Sequence, residues 1–222
     1  THLTMPLAAG VVPPHLEAQT MARLEAAIAA KGDHLDTGLT GNYFMTKLFT
    51  ESGRNDLMFR ITNQTTFPSY GFFLSQGYTT WPETWNVKPC CGDTVSKMHG
   101  CYNAVGLWFV QGVAGISVDA SAEDDFTLTV RAGVDAGDIH WARGSRAALQ
   151  GGEVVSSWAL ADGGGGAFSH NVTVPLNAVA KVMIPARTTA ELLESGQAAA
   201  SAPGVSVLGR ASVNGIPFVS LQ

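Results

Sequence analysis

The strongest constraint on the fold is a change of hydrophobic period near residue 117. Before it, apolar residues recur at helical spacing between Gly/Pro-rich loops. After it, short β-branched runs alternate with a period of two. A chain written this way folds as an α+β protein with two parts, a helical part over residues 1–117 and a β part over 118–222. At 222 residues both parts have enough chain for a core.

In the first part, His15 to Lys31 carries Leu16, Leu24 and Ile28 on one face, with Gly32 where a left-handed cap belongs. "GNYFMTKLFTESG" and "NDLMFRITNQ" read as two further helices, the second with Asp56 in its first turn. Thr94 to about Gly115 predicts one long helix with Met98, Cys101, Tyr102, Val105, Trp108, Phe109 and Val113 as its apolar stripe. In the second part, "DFTLTVRAG", "GEVVSSWALADG", "AFSHNVTVP", "AVAKVMIP", "VSVLGR" and "GIPFVSLQ" predict an antiparallel β-sandwich. The opening stretch, "THLTMPLAAGVVPP", reads as the tail of a helix entering a Pro-Pro loop, so the chain is expected to begin inside a larger fold.

Composition excludes several classes. Hydrophobic residues make up 45% and charged residues 14%, which is the profile of a folded chain and not a disordered one. A net charge of -5 argues against a nucleic-acid partner. No apolar run approaches the roughly 20 residues that span a bilayer, so no membrane partner is expected. Cys101 can pair with Cys90 or Cys91 in a disulfide. Two sequons, at Asn63 and Asn171, together with that disulfide lean towards a secreted protein. Adjacent Cys90 and Cys91 are poorly placed to share one ion and no Cys-x-x-Cys is present, so neither a metal nor another cofactor is expected.

One short stretch stands out as chemistry. "TTWPETW" sets Glu83 between Trp81 and Trp85 with Pro82 fixing the backbone. A carboxylate between indole faces suits sugar hydrolysis, but the pattern alone favours two inward tryptophans with an acid that caps a turn or pairs with a lysine. His99 is similarly open between a ligand-binding group and a satisfied buried histidine. Asp36 and Asp93 read as helix N-caps.

Several stretches then resemble, in order, the closing part of bacterial-type α-L-rhamnosidases of glycoside hydrolase family 78. They are "GDHLDTGLTG", "TESGRNDLMFRITNQTTFPSYGFFLSQGYTTWPETW" and "SKMHGCYNAVGLWFVQGVAGI". Downstream, "DIHWARGS", "GEVVSSWALADG" and "NVTVPLNAVAKVMIP" resemble that family's C-terminal β-sandwich. The resemblance implies the last helices of a six-hairpin (α/α)6 barrel, incomplete in this chain, followed by the sandwich. It implies an inverting glycosidase acting on rhamnose-containing glycans, with Glu83 as general base. His99, Trp85 and Trp81 would bind the sugar. The general acid would lie upstream, on a second polypeptide or segment that completes the barrel. Trp81-Pro82 and Met98 depart from the family pattern. The competing expectation is a non-catalytic carbohydrate-binding or structural protein with the same fold.

Overall fold

The computed structural model describes residues 2–86, 95–118, 127–148, 151–161 and 167–222. Cys90, Cys91, Asp93 and the side chain of Cys101 lie outside the described residues, and with them the expected disulfide. The chain forms two compact units, Thr1–Trp108 and Phe109–Gln222.

The first unit is helical. α1 (Thr4–Ala8) and α2 (Pro14–Ala30) flank the proline loop, and Pro14 occupies the first turn of α2, where a missing N–H costs nothing. Gly32 follows α2 at φ 63°, as its position after the apolar face predicts. α3 (Leu39–Glu51) buries Met45 and Phe49, and α4 (Asn55–Thr62) buries Leu57, Met58 and Ile61. Arg54 precedes α4 and pairs with Asp56 in its first turn at 2.9 Å, and also with Glu25 of α2. Burial opposes the ionised Asp56, but the Arg54 hydrogen bonds and charge outweigh it and hold the carboxyl below its usual range. α5 (Tyr70–Ser75) is capped by buried Ser69, whose Oγ accepts from Phe72 N at 3.0 Å.

The long helix expected from residue 94 is corrected. Residues 95–99 are not helical, and helical structure begins with a 3₁₀ turn at Gly100–Ala104. It continues through α6 (Val105–Leu107) into a π-helical turn at Trp108–Val113. The physical reason is competition for backbone groups. His99 N donates to Trp81 O at 2.7 Å and Glu83 N to Ser96 O at 3.0 Å, so these groups are bonded across to the 80–83 loop rather than along a helix. Met98, expected in the apolar stripe, is accordingly 74% exposed, whereas Tyr102, Val105, Trp108 and Val113 are buried.

The second unit holds the sheets. β1 (Ile116–Val118), β2 (Thr127–Arg131), β6 (Val179–Pro185), β10 (Ile216–Leu221) and β9 (Val207–Val213) lie side by side in that order. β3 (Trp141–Ala147), β4 (Glu153–Leu160) and β5 (Phe168–Thr173) form a second sheet, and β7 (Leu193–Glu194) pairs with β8 (Gln197–Ala198). Ile116, Leu128, Val130 and Ala180 of the larger sheet share one buried cluster with Val154 of β4. The expectation of a wholly antiparallel domain is corrected at one ladder. β2 and β6 run parallel, from Thr127↔Val179 to Arg131↔Met183. The chain leaves β2, builds the whole three-stranded sheet and returns as β6, and so long a crossover lets the two strands align in the same direction.

Gly115 joins the helical run to β1 at φ 83°, where a Cβ would stand 1.9 Å from Arg131 O. Side chains of β4 fix the same junction. Ser156 Oγ donates to Ala114 O at 2.7 Å and Trp158 Nε1 to Val113 O at 2.8 Å. Because Ser156 donates to the carbonyl, His170 Nε2, 2.9 Å away, donates to Ser156 Oγ. His170 Nδ1 is buried with no partner among the described residues, and burial pushes the imidazole down to about 4.

The unfolded chain therefore binds the His170 proton more readily than the folded one. Stability contributed by neutral His170 is present above about pH 6.5 and is lost as pH falls through about 4. Denaturant midpoints measured between pH 7.5 and 5 are expected to fall with pH, and His170→Gln is expected to flatten that slope. An unchanged slope in the variant would remove His170 as the cause.

Candidate active site

Glu83 is held by backbone before any side-chain contact is considered. Residues 80–83 and 96–99 are joined by the two bonds from His99 N and Glu83 N, and by Thr80 Oγ1 donating to Lys97 O. Pro82 has no N–H to satisfy and is buried, so the turn leaves no stranded donor there. This pairing brings His99 Nδ1 to 3.7 Å from Glu83 Oε2, and the two side chains keep 33% and 37% exposure. The imidazole sits beside the carboxylate as a polar neighbour that strengthens to an ion pair when protonated.

The tryptophans on either side turn down into the unit. Trp85 is buried, with its ring 4.1 Å from that of Tyr102 and 5.4 Å from that of Tyr70. Its Nε1 donates to Thr37 O at 3.0 Å, which ties the loop to the segment before α3. Trp81 is half-buried and meets Tyr70 edge-on at 4.9 Å. Tyr70 in turn is fixed by hydrogen bonds, accepting from Asn42 Nδ2 at 3.1 Å and donating to Tyr102 O at 2.9 Å. Burial pushes the Tyr70 phenol well above its usual range, so it stays a neutral donor.

A cavity of about 1030 Å³ opens beside the loop. Glu83 and Trp85 line it; His99 and Trp81 are not among the described residues that do. The rest of the lining includes residues that sequence pattern did not single out, His34 and Thr37 after α2 and Thr66 and Phe67 after α4, together with Tyr102 from the expected apolar stripe. Asp36 also lines it. Its expected N-cap role is corrected: Gly38 is the N-cap residue of α3, no side chain caps that helix, and Asp36 pairs with Lys31 at 3.3 Å. No signal of period or spacing marks His34 or Thr66, because their meeting depends on the packing of two distant loops. Among the described residues no group of three or more His, Cys, Asp or Glu is placed to hold a metal.

Comparison with known proteins places the chain in a family. Residues 1–113 match the bacterial alpha-L-rhamnosidase 6 hairpin glycosidase domain, and residues 124–199 match the bacterial alpha-L-rhamnosidase C-terminal domain. The chain belongs to the bacterial α-L-rhamnosidase family. It is 34% identical over 185 residues to an α-L-rhamnosidase of Streptomyces avermitilis, a match covering 81% of this chain and 17% of the relative. An α-L-rhamnosidase of Alteromonas sp. (strain LOR) is 26% identical over 175 residues, covering 74% and 18%. Among solved structures, the Streptomyces avermitilis α-L-rhamnosidase complexed with L-rhamnose superposes with a TM-score of 0.74 at 27% identity, covering 99% of this chain and 20% of that one. The α-L-rhamnosidase from Dictyoglumus thermophilum gives 0.79 at 25% identity, covering 98% and 24%. The chain thus spans about a fifth of the length of these relatives.

Tyr70→Phe keeps the ring against Trp81 and Trp85 but removes one donor to Tyr102 O and the acceptor of Asn42 Nδ2. The variant is expected to lose about 1–3 kcal/mol of stability, read as a lower denaturation midpoint. A midpoint equal to wild type would show that the hydroxyl supports nothing.

Proposed function

We propose that this chain is the C-terminal portion of an inverting glycoside hydrolase that removes terminal α-L-rhamnose from glycans or glycosides, and that Glu83 is its general base. The observation that carries this is the placing of Glu83. Its carboxylate is half-exposed at the wall of a large cavity, fixed by backbone on both sides and accompanied by His99 at 3.7 Å. Kinship with α-L-rhamnosidases supplies the sugar.

In an inverting hydrolysis one carboxylate takes a proton from water as the water attacks the anomeric carbon. A second carboxyl group, roughly 6.5–9.5 Å away, protonates the leaving oxygen. Glu83 takes the first role. His99 holds a hydroxyl of the sugar while flanking the base, Trp85 supplies the aromatic wall, and Trp81, outside the described lining, backs it through Tyr70. The general acid belongs to the rest of the protein, since the helices here make up only part of an (α/α)6 barrel; the sheets that follow form its accompanying β-sandwich. Asp36, the other acid lining the cavity among the described residues, is engaged by Lys31 and is not assigned a catalytic role.

In the full-length protein, Glu83→Gln is expected to lower kcat on an aryl α-L-rhamnoside by about 10²–10⁴-fold while sugar binding survives. Near-normal kcat would exclude Glu83 as the base. The isolated 222-residue chain is expected to show no turnover of the same substrate, and robust turnover with no other polypeptide present would overturn the division of acid and base.

A further inference from the structure

We infer that the outward face of the three-stranded sheet β3–β4–β5 is a binding surface for a polysaccharide that carries uronate sugars. It shares no residue with the cavity at Glu83 and does not depend on the reaction proposed there. Alternation along β4 defines the face. Val154 joins the buried cluster with Ile116 and Val130, while Ser156 and Trp158 bond inward to Ala114 O and Val113 O. Ser157 and Ala159, between and beyond them, therefore point outward.

The strand register sets the outward residues in rows. One row is Trp141, Ala159 and Ser169, and the next is Arg143, Ser157 and Asn171. Trp141 is 71% exposed and makes no ring contact among the described residues. A tryptophan is ordinarily well buried, since its large apolar surface is costly to leave in water. Its row neighbours are small, so no bulky side chain there shields the indole. An open indole on a flat sheet is a platform for the C–H face of a pyranose.

The adjacent row supplies hydrogen bonds and charge. A guanidinium, a hydroxyl and an amide stand on three strands about 4.8 Å apart, giving a line of polar groups about 10 Å wide. Rows on one face are two residues apart, or about 7 Å. A sugar ring seated on Trp141 thus has a carboxylate substituent within reach of the long Arg143 side chain, whose planar fork suits a carboxylate.

Charge selects the acidic sugar. The chain carries a net charge of -5, yet the cation at the outward positions of this sheet, Arg143, is exposed and makes no ion pair among the described residues. The acid on the same face is Glu153, opposite Ala147 at the end of the sheet. It is four residues from Ser157, about 14 Å along the strand and beyond the screening length of about 8 Å at physiological salt. A neutral glycan would leave the guanidinium unused, whereas a uronate chain meets both the indole and the cation.

The test is affinity electrophoresis of the full-length protein through gels containing polygalacturonate, with gels containing dextran as the neutral control. Polygalacturonate is expected to retard the protein and dextran is not, and the retardation is expected to weaken as salt is raised. Trp141→Ala and Arg143→Gln are each expected to weaken binding about tenfold or more, with circular dichroism confirming the fold and kcat on an aryl α-L-rhamnoside unchanged. Acrylamide is expected to quench the emission that Trp141→Phe removes. Absence of retardation by polygalacturonate, equal retardation by dextran, or folded variants that bind as wild type would each overturn the surface. A Trp141 signal that acrylamide cannot reach would overturn it too, by showing that another part of the protein covers this face. Failure of Glu83 as base is read from the kcat of Glu83→Gln and leaves these outcomes unaffected.

Discussion

Three hydrogen bonds between residues 80–83 and residues 96–99 are the constraint from which the rest of the site follows. Each joins a backbone group that a helix would otherwise have used, or a side chain to such a group. They set the point at which helical structure begins, at Gly100, and place His99 just outside it. They also set the direction of Glu83. With Trp81 leaning on Tyr70 and Trp85 bonded to Thr37 O, the residues on both sides of the acid are drawn into the core. An acid between two inward side chains, with its N–H bonded to Ser96 O, is left facing the cavity.

Inward packing of the tryptophans and outward display of the acid are one arrangement. Burying a carboxylate without partners costs several kcal/mol, and turning both indoles down removes the need. Trp85 contributes to the cavity wall from below, while its indole N–H satisfies a carbonyl that would otherwise be buried without a donor.

Much of the fold was legible because it is written locally. Gly32 after the apolar face of α2, Asp56 in the first turn of α4 and the period-two runs of the second unit depend on neighbours within a few residues. Met98 and the expected helix from residue 94 failed because hydrogen bonds to residues about 15 positions away, such as His99 N to Trp81 O, outweighed local spacing. The parallel β2–β6 ladder was hidden for a related reason, since strand direction is fixed by the length of the intervening chain and not by alternation within either strand. Glu83 had a signature of its own, and the structure places it at the cavity wall. His34, Thr37, Thr66 and Phe67 had none, because each becomes part of a wall only when the loops after α2 and α4 come together.

That contrast bears on how such a site divides its labour. The group assigned to the chemistry stands on a short loop clamped at both ends by aromatic packing and backbone bonds, so its position is overdetermined. The loops after α2 and α4 that supply the rest of the wall are held by a histidine–threonine bond, an edge-on ring contact and the bond from Trp85 Nε1 to Thr37 O. Attack by water tolerates little displacement of the base, since rate falls steeply with misplacement of reacting groups. The loops after α2 and α4 meet without any of the three bonds that hold Glu83. A loop wall of this kind can change its side chains while the clamp around the acid stays the same.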